Sequence, residues 1–159
     1  MGRRQHMAND IKQRALDDIK QYGWHLIIVP DDEGGPGFVY SVGMMQTLKH
    51  PEIIMFGLES DLMVEVIHGM GIEIEKGRRF AAPGLADDLL KECACKIIAG
   101  DKRWHEEYMG YAVWHRQHVG QAGTLQAVQC VWPDKQGRFP DDPSCNRDVI
   151  AVQPILGSV

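Results

Sequence analysis

The side chains whose types could do chemistry cluster in three stretches. In "DKRWHEEYMGYAVWHRQHVG" (Asp101 to Gly120), Glu107, Tyr111, His115 and His118 recur at i, i+4, i+8 and i+11. On one helix they share a face, and a carboxylate, a phenol and two imidazoles could hold a metal or move a proton. Against this, HExxH is absent, and Trp104, Tyr108, Tyr111, Ala112, His115 and Val119 also read as an aromatic core stripe, so no metal site is expected. In "VWPDKQGRFPDDP", Trp132, Asp134, Arg138 and Phe139 follow an apolar run. They make either a ligand or partner surface, since Trp and Arg are common anchors, or a hairpin end braced by an Asp134–Arg138 pair. In "FVYSVGMMQTLKHPEIIMFGL" (Phe38 to Leu58), Tyr40, Ser41, Gly43 and His50 crowd a strand-loop-strand. Tyr40 and Ser41 alternate across a strand and cannot both line one pocket. The competing reading is that His50-Pro51 fixes the loop while Tyr40 packs in the core.

If these stretches meet, the expected binding site combines His50, the Tyr108/Tyr111/His115 face and the loop carrying Trp132, Asp134 and Arg138. Tyr111, one turn before His115, would set the tautomer of its imidazole. No catalytic residue is assigned. Ser41, Ser60, Ser144 and Ser158 lack a GxSxG setting, and no GxGxxG or Walker loop occurs. Asp31-Asp32-Glu33 does not have the spacing of an EF-hand loop. Whether the protein is an enzyme stays open.

The elements that must position these residues can be read from periodicity. Apolar spacing predicts helices near Ile11 to Tyr22, Asp61 to Met70 and Lys102 to Val119, with Asn9, Ser60 and Asp101 as caps. Strands are expected at Trp24–Pro30, Phe38–Gly43, Glu52–Gly57, the alternating "IEIE", Cys93–Ile98 and "TLQAVQCVW". "VIAVQPIL" closes the chain as a strand or extended tail. The early connections are too short for helical crossovers. The expected fold is therefore α+β: a mainly antiparallel, curled or small split-barrel-like sheet flanked by about three helices.

At 159 residues the chain has room for one domain. Met1 to His6 read as an expression remnant before Met7, leaving 7–159 as the domain. A formal net charge of −5 argues against a nucleic-acid partner. No run approaches the roughly 20 apolar residues of a membrane helix, and the polar start is not a secretory signal. The four cysteines, Cys93, Cys95, Cys130 and Cys145, fit no CxxC pair and no small stapled scaffold. Free thiols and a cytoplasmic location are expected.

The segments "FVYSVGM", "HPEIIMFGL", "QCVWPDKQGRFPDDP" and "QPILG" together resemble the bacterial family catalogued as domain of unknown function 4262, over roughly Trp24 to Gly157. Met44 stands where that pattern usually has leucine. The resemblance brings no reaction with it. A weaker likeness, to the flavin-binding split barrels, implies a barrel and admits flavin as cofactor, although no phosphate cradle of basic and hydroxyl residues is evident. Two functions stay in competition: a small-molecule-binding protein with its site in a cleft of the curled sheet, and a non-catalytic interaction module such as an immunity or regulatory partner. A homodimer is compatible with either.

Overall fold

The computed structural model describes residues 2–157; Met1 of the expected remnant, and Ser158 and Val159 at the end of the expected domain, lie outside the described residues. In chain order the elements are α1 (Gly2–Tyr22), β1 (His25–Val29), β2 (Phe38–Val42), α2 (Met44–Leu48), β3 (Glu52–Phe56), α3 (Ser60–Glu75), β4 (Gly84–Ala86) and β5 (Cys95–Ala99). A 3₁₀ turn (Lys102–Trp104), α4 (His105–Tyr108), α5 (Gly110–His118), β6 (Ala127–Val131) and α6 (Arg147–Val152) complete the chain.

The strands form one six-stranded sheet of order β1-β2-β3-β6-β5-β4. Every pairing is antiparallel except β3 with β6. The fold is α+β, and the sheet is open, running from an edge at β1 to a three-residue edge at β4. The parallel pair joins strands far apart in sequence, with α3, β4, β5, α4 and α5 lying between them in the chain. A parallel pair needs such a long connection.

Helices cover both faces. On one, α3 sets Met63, Val66, Ile67, Met70 and Ile74 against Val39, Ile53, Met55, Ile97 and Cys130. On the other, Ile11 and Ile19 of α1, together with Met109 and Ala112, pack on Ile27, Tyr40, Val42, Ile54 and Phe56. A strand covered on both faces has no solvated side, so β3 (EIIMF) and β6 (AVQCV) are buried at every position.

Several expected elements differ. α1 begins at Gly2, within the expected remnant, so Asn9 lies inside it rather than capping it; Glu59 rather than Ser60 precedes α3; and Cys93 lies before β5. "IEIE" is not a strand but the last turns of α3, where Ile67, Met70 and Ile74 continue the buried stripe at i, i+3 and i+7. Gly69 and Gly71 do not end that helix; Trp24 lies on Gly71, and the stop comes at Gly77, whose φ is +105°. The Lys102–Val119 helix is broken at Met109 (φ −127°, ψ 40°), which is buried between α4 and α5. "VIAVQPIL" opens inside α6, which Asn146 caps through Asp148 N–H, and only then runs extended. α2 and β4 are too short to carry a readable period.

Candidate functional site

The motif-rich strands around β2 and β3 build a buried polar knot. Glu52 is 1% exposed at the head of β3. Its carboxylate accepts from Ser41 Oγ (2.7 Å), from the N–H groups of Gly43 and Met44 (3.1 Å each) and from that of Met45 (3.0 Å). Ser41 Oγ in turn accepts from Ile53 N–H at 2.9 Å. Burial pushes the Glu52 carboxyl up to about 7, against the pull of these donors. Gly43 has φ +100°, and a Cβ there would sit 2.5 Å from Ile19 of α1. These residues hold the β2–α2 corner, and their polar atoms already have partners.

His50 is also engaged. Its Nδ1 donates to the Pro51 carbonyl (2.8 Å), and its Nε2 accepts from Phe80 N–H (3.1 Å). The ring is therefore the neutral Nδ1–H tautomer, and burial lowers its pKa. Tyr40 lies in the core at 2% exposure, its hydroxyl accepting from Tyr111 N–H.

The Trp132–Arg138 loop is clasped as well. Trp132 Nε1 donates to the Phe56 carbonyl (2.7 Å), while Gln153 both accepts from Trp132 N–H and donates to its carbonyl. Asp134 accepts from the N–H groups of Gln136, Arg138 and Asn146, each at 2.9 Å. The Arg138 amide, first among these, holds its carboxyl below the usual range. The Asp134–Arg138 pair does brace the turn, but through the Arg138 backbone, whose carbonyl also accepts from Asp134 N–H (2.8 Å), while the exposed Arg138 guanidinium donates to the Ser144 carbonyl.

The expected composite site is not assembled. Trp132 packs with the cluster on the α3 face, whereas Tyr108 and Tyr111 pack with the cluster on the opposite face, so the sheet separates them. Tyr108 stands edge-on to Phe38 and Phe56. Tyr108 and Tyr111 do border one shallow cleft, with Trp114, Phe38 and Lys12. His115 is 2% exposed and does not border that cleft. His50 faces a different recess, shared with Lys49 and Arg116.

A different group of residues has unspent hydrogen-bonding capacity. Among the described residues, four buried side-chain polar atoms have no protein partner: Trp104 Nε1, His105 Nε2, His115 Nδ1 and Arg116 Nη1. All four belong to the segment from the 3₁₀ turn to α5. Two of them, His105 and Arg116, border one recess of about 380 Å³ with Lys102, Arg103, Glu106, Val113, Gln117, Gly123 and Leu125.

Local structure fixes both. Asp101 caps the 3₁₀ turn by accepting from Arg103 N–H at 3.0 Å, which starts α4 at His105. The His105 ring bonds the Gly100 backbone; burial foremost, then Lys102, lowers its pKa, so it is neutral at pH 7. Arg116 Nε donates to Thr124 Oγ1 (3.1 Å), and the Arg116 carbonyl accepts from Gln121 N–H (2.7 Å). This anchors the guanidinium and leaves Nη1 as a free donor. The site thus offers a fixed cationic donor beside a neutral imidazole acceptor.

His105 and Arg116 carry no motif signal, although both lie in the Asp101–Gly120 stretch. They are eleven residues apart and would share a face on a continuous helix, but the break at Met109 invalidates that count. They border one recess because α5 leaves α4 at the Met109 break, and the 120–125 turn holds Arg116 there through Thr124 and Gln121. Glu52 left a clearer signal, a lone carboxylate heading a strand otherwise wholly apolar.

No curated protein and no solved structure matches the chain. The model of the family described as Domain of unknown function (DUF4262) matches residues 18–146, most of the chain and all of the segments that carried the resemblance except the "QPILG" tail. The chain belongs to the DUF4262 family.

Proposed function

We propose that this protein binds a small polar molecule in the recess between the Lys102–Tyr108 segment and α5. The observation that carries the reading is the pair His105 Nε2 and Arg116 Nη1. Their side chains are 7% and 8% exposed, lack protein partners and border the same recess. Leaving buried polar groups unpaired costs roughly 1–3 kcal/mol each, more for a charged one, and a ligand that pairs them recovers that cost. Such strain at a concave polar surface is a mark of a binding site. A cytoplasmic setting accords with the four free thiols.

The test is a thermal-shift panel of neutral, cationic and anionic metabolite-sized compounds, run on wild type and on the His105→Gln, Arg116→Gln double variant. A stabilising compound whose effect disappears in the variant is the expected result. Failure of every charge class, or equal shifts in both proteins, overturns the reading.

A further inference from the structure

We infer that the occupant of this recess is a phosphate monoester, bound together with a proton shared with His105. This rests on the reading that the recess is a ligand site, and it names the ligand class.

Charge supports it first. Lys102, Arg103 and Arg116 border the recess with a single acid, Glu106, in a chain whose net charge is −5. Lys102 and Arg103 are exposed at the rim, with Arg103 stacked over Trp104 at 5.0 Å and its Nε 3.7 Å from Asp101. Arg116 lies inside, and its unpartnered Nη1 calls for an anionic oxygen. A neutral sugar or polyol supplies hydroxyls but no charge for it.

The second argument is the imidazole. With its ring held by the Gly100 backbone, neutral His105 presents Nε2 as an acceptor, so the complementary ligand must also carry a proton donor. A carboxylate or sulfate at neutral pH has no proton to offer. A phosphate monoester has its second pKa near ~6. As a monoanion it donates a P–O–H to Nε2 and accepts from Arg116 through another oxygen. Sulfate could pair Nε2 only by charging an imidazole whose burial disfavours the charged form. The phosphate complex thus holds one more proton than the separated dianion and neutral imidazole. The charged groups around the ring are Asp101, Lys102, Arg103 and Glu106 on its own segment and Arg116 from α5; the 123–125 turn contributes none.

The test uses methyl phosphate, sulfate and glycerol as probes on protein labelled with ¹⁵N-histidine, followed by NMR from pH 5.5 to 8. Methyl phosphate should perturb the His105 ring saturably and raise its pKa. Calorimetry in buffers of different ionisation enthalpy should show proton uptake. Sulfate should bind more weakly with no uptake, and glycerol not at all. Arg116→Gln should weaken methyl phosphate by roughly tenfold or more. Because Arg116 also braces Thr124, the exposed Lys102→Gln is the second variant and should weaken binding several-fold with an unchanged melting temperature. Equal binding of sulfate without proton uptake, or a response to glycerol instead, overturns the ligand class while leaving the recess a binding site. Silence of His105 toward all three probes overturns the ligand class. If the broader compound panel is silent too, the binding reading falls with it.

Discussion

Glu52 shows how one residue can be ionisable, buried and structural at once. Its two oxygens accept four hydrogen bonds, and none of the donors can turn into an acceptor except the Ser41 hydroxyl. A Gln at this position must aim its NH₂ at backbone N–H groups. Glu52→Gln should therefore destabilise the fold by about 2–4 kcal/mol despite its near-identical shape, measured by chemical denaturation. Ser41→Ala removes one donor to Glu52 and the acceptor for Ile53 N–H, and should cost about 1–3 kcal/mol by the same assay. If both variants unfold at the wild-type midpoint, the knot is not what holds the β2–α2 corner. The same reasoning applies to His115. At 2% exposure it packs as a core residue, so His115→Ala should lower stability by about 1–3 kcal/mol, read from the denaturation midpoint.

At the scale of elements, α3 contains a sign reversal two residues apart. Gly69 and Gly71 both lie inside this helix, where Gly→Ala ordinarily gains about 0.5–1 kcal/mol by restricting the unfolded chain. A Cβ at Gly69 meets nothing within 4 Å, whereas one at Gly71 would lie 2.5 Å from the Trp24 ring. Gly69→Ala should raise the melting temperature. Gly71→Ala should lose about 1–3 kcal/mol, because the indole fills the space. Equal effects of the two substitutions would show that Trp24 yields without cost. The break at Met109 belongs to the same scale: burying Met109 ends α4 and redirects α5, which turns Arg116 toward the segment that carries His105.

For the whole molecule, burial of ionisable groups sets the response to pH. His50, His105 and His115 all have pKa values lowered in the fold, chiefly by burial. Their contribution is complete above the ordinary imidazole value near ~6.5 and is lost as the pH falls below it. Glu52 works in the opposite sense. With its pKa raised from 4.5 to about 7, its contribution is complete below 4.5 and is lost as the pH rises through 7. Between about pH 6.5 and 5 the three imidazoles lose stability while Glu52 regains it, so the urea midpoint should fall more steeply over that range in Glu52→Gln, where only the histidines titrate, than in wild type. A flat profile in that variant would mean that the buried histidines do not remain neutral. The four cysteines are unpaired, and thiol titration in denaturant should count four; a count of two would reveal a disulfide.

The sequence by itself determined what depends on local periodicity and composition. α1, the first half of α3, β1, β2, β3 and β6 are legible because one amphipathic or apolar run matches each. The α+β class and the mainly antiparallel pairing follow from short connections, and the family follows from motifs spread along the chain. Tertiary structure alone decided the rest. Ile72 and Ile74 look like a strand because they alternate with acids, but in α3 they point to opposite sides, Ile74 buried on the sheet and Ile72 exposed, and four residues of sequence do not reveal which period holds. Ser41, His50, Trp132 and Asp134 look like chemistry because they carry hydrogen-bonding groups in short motif-rich stretches. Their backbone partners, which spend that polarity on structure, come in part from other segments, such as Phe56 beneath Trp132 and Phe80 beside His50. His105 and Arg116 look unremarkable in the chain, because a recess needs two elements and a returning turn, and no periodicity within one helix encodes where the chain comes back.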